Sequence, residues 1–66
     1  MTLADAIGKI LDRNERPMSI ADLVDVGMYF EELEMDNVTE NDIIKCVEEN
    51  EDQFEIRNEF VSIVGQ

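Results

Sequence analysis

Carboxylates are the groups most able to do chemistry in this sequence. Asp and Glu number 17 against five Lys and Arg, and there is no His. Histidine is the commonest general base near neutral pH and the commonest metal ligand, so its absence narrows the field. The adjacent pairs Glu31-Glu32 and Glu48-Glu49 diverge around a helix, and nothing sets either up as an acid–base couple. They read as solvated faces. Cys46 has no base partner and falls on an apolar helix face, where a thiol acts as a small buried hydrophobe. The stretch Asp36-Asn37-Val38-Thr39-Glu40-Asn41-Asp42 has the composition of a calcium loop. It lacks the central Gly and the spaced terminal Glu that such a loop requires. There is no Gly-rich phosphate loop. The expectation is a non-enzyme with no catalytic residues, no metal and no cofactor.

What remains is charge. The formal net charge is −12, yet 44% of the residues are hydrophobic and apolar residues occur in every segment. Such an excess keeps a small protein soluble, faces a basic partner or repels nucleic acid. A single cysteine and a start without a signal-like pattern point to a reducing, cytoplasmic setting. No stretch approaches the ~20 apolar residues that span a bilayer. The 66 residues are read as one domain, 1–66. A chain this short buries only about 60% of its unfolded surface, and its core supplies ~3–5 kcal/mol of net stability.

The elements follow from periodicity and caps. Leu3, Ala6, Ile7, Ile10 and Leu11 fall on one helical face, with Thr2 as cap and Asp5 three residues on. Lys9, Arg13 and Arg16 gather at the end of this helix, where cations suit the dipole, and Pro17 stops it. Met18-Ser19-Ile20 is a short strand able to pair with a later hairpin. Ser19 and Asp22 resemble a second capping box, Ile20, Leu23 and Val24 carry a second helix, and Gly27 is its expected stop. From Met28 to Val38 the pattern blurs, and an irregular helical turn or an extension of the second helix is expected. The third helix runs from Thr39 to Asn50, burying Ile43, Ile44 and Val47 beside Cys46.

The stretch "DQFEIRNEFVSIVG", residues 52–65, reads as a β-hairpin with Asn58-Glu59 as a two-residue turn. Ile56 then opposes Val61 and Phe54 opposes Ile63, with all four on the core face. Arg57 and Phe60 point to the other face. A register slip of one residue would turn Phe60 inward. The order helix, strand, helix, helix, strand, strand makes the fold α+β: a small winged helix-turn-helix, three helices plus a C-terminal hairpin wing, with a short third strand near Met18–Ile20.

Two stretches carry a family resemblance. "AIGKILDRNERPMSIADLV" resembles the first helix, Pro turn and second helix of the winged-helix domain at the N-terminus of the delta subunit of bacterial RNA polymerase. "QFEIRNEFVSIV" resembles the wing of the wider winged helix-turn-helix family. The resemblance implies an accessory role around transcription, exerted through protein contact. The delta subunit's acidic tail has no counterpart among these residues, so functions that depend on it are not implied.

A helix-turn-helix places its second motif helix in the major groove. Here that helix would present Glu40, Asn41, Lys45, Glu48 and Glu49. Asn41 suits adenine and Lys45 a phosphate, but Glu40, Glu48 and Glu49 would meet the backbone, and like-charge juxtaposition costs several kcal/mol. A protein making roughly 6–10 phosphate contacts spends that many cations; this one has five, scattered. Direct DNA binding is therefore disfavoured. The leading expectation is a protein-interaction module docking on a basic protein surface, with RNA polymerase as the candidate partner. The alternative is a DNA mimic whose carboxylates imitate phosphates, and either would suit a phage-encoded modulator of host transcription. Phe60 with Arg57 forms an aromatic–cation candidate contact. Met28, Tyr29, Phe30 and Met35 either fill the core or form a patch suited to a homodimer or a partner groove. The candidate partner-binding residues are Tyr29, Phe30, Glu40, Lys45, Glu48, Glu49, Arg57 and Phe60.

Overall fold

The computed structural model describes residues 2–65. Helix α1 spans Leu3–Asn14, strand β1 Met18–Ser19, helix α2 Ile20–Tyr29, a 3-10 turn Glu31–Leu33, helix α3 Glu40–Glu49, strand β2 Phe54–Arg57 and strand β3 Phe60–Ile63. The three strands form an antiparallel sheet in the order β1-β3-β2. The fold is a small α+β arrangement of three helices and one sheet.

Local chemistry fixes the helix starts. Thr2 Oγ1 accepts from the Asp5 amide at 3.1 Å, and the Asp5 carboxylate accepts from the Thr2 amide. Thr39 and Asp42 make the same reciprocal pair at 3.2 and 3.0 Å. Each box satisfies two amides that helix geometry leaves without partners. Ser19 makes only half of the expected box, accepting from the Asp22 amide at 3.1 Å; it serves at the same time as a residue of β1. Helix α1 ends at Glu15, which takes a left-handed conformation at φ 55° and donates its amide to the Leu11 carbonyl. Pro17 follows, where a helix cannot continue.

The second helix departs from expectation at Gly27. It does not stop there but runs on to Tyr29, and Gly27 is buried within it. The reason lies across the chain. A Cβ at Gly27 would stand 2.7 Å from Met35 Cε, 2.8 Å from its Sδ and 3.0 Å from its Cβ. Glycine is present for close approach, and Met35 occupies the space that a side chain would take. The blurred segment 28–38 thus resolves into both alternatives, an extension of α2 and a 3-10 turn. Leu33 and Met35 are buried beneath it, while Met28 and Tyr29 face solvent.

Two glycines in helices therefore predict opposite outcomes for one substitution. Gly8 in α1 has only Phe54 within 4 Å, at 3.9 Å. Gly8→Ala gains helix propensity of about 0.8–1 kcal/mol without a clash. Gly27→Ala gains the same propensity but overpacks against the Met35 Cβ, a cost of about 1–3 kcal/mol. Thermal unfolding should show a higher midpoint for the first variant and a midpoint lower by about 5 °C for the second. Equal shifts would mean that Met35 does not pack on Gly27.

The hairpin has the expected register: Phe54 faces Ile63, and Ile56 faces Val61. Asn58 and Glu59 form its turn with φ 50° and 70°. Two successive positive φ angles match the twist of a two-residue hairpin. Strand β1 adds Met18 opposite Val61 and Ser19 opposite Phe60. The Ile20 amide donates to the Glu59 carbonyl at 3.1 Å, tying the turn to the start of α2. Glutamate is a poor choice at positive φ, where a Cβ costs about 1–2 kcal/mol. Glu59→Gly should stabilise the protein by about 1 kcal/mol in urea unfolding, and an unchanged midpoint would argue against this turn geometry.

The core collects Ala6, Ile7, Ile10, Leu11, Met18, Ile20, Leu23, Leu33, Met35, Ile43, Cys46, Val47, Phe54 and Val61. Ile44, expected among them, is only half-buried beside this cluster. Among the described residues no polar or charged side chain is buried. One sheet residue breaks the expected alternation. Phe54 and Val61 are buried and Ile63 is half-buried, but Ile56 is 41% exposed. It has the right face but lies on the edge strand β2, whereas Val61 opposite it lies on the central strand β3 and is fully covered. No helix among the described residues is long and apolar enough to cross a membrane.

Candidate functional site

Helix α3 is positioned by Ile43, Cys46 and Val47, which point into the core. At 100° per residue this leaves Glu40, Ile44 and Glu48 as one stripe, with Asn41 and Lys45 beside it. Asp42 and Glu49 fall on the far flank. Lys45, next to Glu49 around the helix, shares with it a depression lined also by Thr2 and Leu3 at the start of α1 and by Val38. The four α3 residues read as partner contacts, Glu40, Lys45, Glu48 and Glu49, are all exposed. Lys45 and Glu49 line one depression, Glu48 lines another, and Glu40 lines neither.

Glu48 belongs to a more coherent site. A shallow groove of about 280 Å³ runs between the end of α3 and β2, with Val47, Phe54 and Ile56 as its apolar lining and Glu48, Glu51 and Glu55 around it. Glu55 is held by Arg57 at 3.9 Å and by the Ser62 hydroxyl at 3.5 Å. Glu48 and Glu51 have no ion-pair partner among the described residues. Val47 and Phe54 are buried at its base, so the groove offers the exposed Ile56 and two free carboxylates, chemistry that fits a basic side chain next to an apolar one. Glu51, Glu55 and Ile56 were not among the residues singled out from sequence. Alternation assigned Ile56 to the core, and Glu51 lies in a connection without periodicity.

The aromatic candidates separate. Tyr29 is 82% exposed. It meets Phe30 edge-on, with centroids 5.6 Å apart. Phe30 is half-buried and packs against the core, under the Arg13 guanidinium at 5.9 Å. Arg13 also reaches Glu32 at 3.9 Å. Phe30 therefore fastens the end of α2 to α1 and offers a partner little surface. At the hairpin, Arg57 and Phe60 are cross-strand neighbours, and Phe60 is 49% exposed. The two thus lie side by side on one face of the hairpin, as the proposed contact patch requires, without stacking on each other. Arg57 turns to Glu55, and among the described residues the cation–π pair is Arg13 with Phe30. Glu55, Arg57 and Phe60 lie on the same sheet face.

Cys46 is buried. Burial pushes its thiol above the ordinary value, the Glu49 charge pushes the same way, and a hydrogen bond from Asn50 opposes both. Asn50 Nδ2 donates to the Cys46 carbonyl at 2.7 Å and approaches its Sγ at 3.7 Å. A protonated, buried thiol is a weak nucleophile. Among the described residues no three His, Cys, Asp or Glu side chains are grouped to hold a metal ion. No family model matches this chain, and no curated protein or solved structure matches it either.

Proposed function

We propose that this chain is a non-enzymatic, acidic protein-interaction module of winged-helix type that docks on a basic protein surface, as an accessory or regulatory factor of the transcription apparatus. The order α1-β1-α2-α3-β2-β3 and the sheet order β1-β3-β2 support the winged-helix reading. The resemblance of residues 6–24 and 53–64 to the delta-subunit domain supports the link to RNA polymerase. One observation carries the docking surface: the α3–β2 groove, which gathers the exposed Ile56 with the carboxylates Glu48 and Glu51, unpaired among the described residues. An incoming Lys or Arg finds complementary charge there, and its apolar neighbour finds Ile56. A DNA duplex would meet the same carboxylates with its phosphates, which repels it.

Affinity capture from a bacterial lysate at moderate salt, read by mass spectrometry, tests the proposal. Recovery of RNA polymerase subunits supports it. Recovery of a nuclease or nucleoid protein that heparin displaces would instead make the carboxylates phosphate mimics. Recovery of this chain alone would point to self-association. Tight, site-selective binding of a duplex by the purified protein at physiological salt would overturn the reading.

A further inference from the structure

We propose that the cleft between α1 and α2 is a binding site for a small apolar monocarboxylate. Ile10, Met18 and Leu33 form its buried floor, and the half-buried Val26 and Phe30 form its walls. Its volume is about 250 Å³, below the roughly 300–1,000 Å³ of a drug-sized site. At the ~30 Å³ that a water occupies in the liquid, the space suits an occupant of about eight heavy atoms. An apolar cleft of this kind favours an alkyl or aryl group, whose burial removes its surface from water.

The rim selects the head group. Lys9 and Arg13 stand at the mouth with Asn14. They are two of only five cations in a chain with 17 acidic residues, and no carboxylate is among the residues that line the cleft itself. They are also four residues apart on α1, where like charges repel, and an anion between them relieves that repulsion. Arg13 is partly engaged, over Phe30 and against Glu32. Lys9 makes no ion pair among the described residues. Asp5 and Asp12 flank Lys9 on its other side, along a separate depression, and compete with a ligand for its ammonium. A carboxylate at the mouth would accept from Lys9 Nζ, from the Arg13 guanidinium and from Asn14 Nδ2, with its tail on the apolar floor. Charge-assisted bonds of this type distinguish a carboxylate from a neutral alcohol of the same length.

The test is an amide-resolved NMR titration of the isotope-labelled full chain with sodium hexanoate, and separately with 1-hexanol and hexylamine. Hexanoate is expected to give saturable shifts centred on Ile10, Arg13, Val26 and Leu33, with a dissociation constant on the order of 1 mM. Hexanol should bind about tenfold more weakly, and hexylamine should not bind. Lys9→Gln, an exposed change, should weaken hexanoate about threefold and leave hexanol unaffected. Val26→Phe should fill the cleft and abolish both. Absence of saturable shifts up to about 10 mM, on the order of ten times the expected constant, overturns the proposal. So does hexanol binding as tightly as hexanoate, or hexanoate shifts centred on Ile56 instead.

Discussion

Leu23→Ala leaves most of the chain unfolded at 25 °C. Leu23 is 0% exposed at the centre of α2 and is among the largest fully buried side chains. Truncating such a leucine costs about 2–5 kcal/mol, the transfer term and the cavity together. A domain of this size holds only ~3–5 kcal/mol in total. The loss therefore equals most or all of the stability, where in a larger protein it would be a fraction. The sheet cannot rescue the fold, because a hairpin without helices behind it is marginal. Far-UV circular dichroism and urea titration check the result, with Ile56→Ala as the comparison. Ile56 is 41% exposed on the edge strand β2, so its truncation should cost well under 1 kcal/mol. A Leu23→Ala protein with a near wild-type urea midpoint would show that the core is not organised around α2.

The second large effect concerns the proposed interaction. Reversing Glu48 and Glu51 to Lys should weaken capture of the basic partner about 100-fold, some 2.7 kcal/mol. Each reversal replaces an attraction with a repulsion across the groove. The fold should tolerate the change. Glu48 and Glu51 are exposed, and α3 has no basic residue in its last turn, where a cation is favoured by about 0.3–1 kcal/mol. Lost binding with retained or raised stability would thus be a charge effect at the surface. Tyr29→Ala and Phe60→Ala are the controls: both side chains are exposed, and both variants should bind normally if the α3–β2 groove is the contact. Undiminished capture by the Glu48/Glu51 variant would remove the groove from the proposal.

Much of the architecture was legible in the residues. The caps at Thr2 and Thr39, the Pro17 stop, the register of Phe54 with Ile63 and Ile56 with Val61, and the short strand at Met18 all depend on neighbours in sequence or on strict alternation. Such features are local: a hydroxyl three residues before a carboxylate, a period of 2 or 3.6, a turn residue that tolerates positive φ. The site was only half legible. Glu48 was named as a contact, but Glu51 and Glu55 were not, Ile56 was placed in the core, and Phe30 was left between core filling and a surface patch.

These misses share one cause. Composition and period alone determined the helices and the hairpin, with an acidic surface over them. The tertiary structure decided which side chain covers which. Gly27 reads as a helix stop until Met35 is seen lying against it, and Ile56 reads as core until β2 is seen to be an edge strand of the sheet. Periodicity assigns a residue to a face, but whether that face is covered depends on an element far away in sequence, and no local pattern records how far that element reaches.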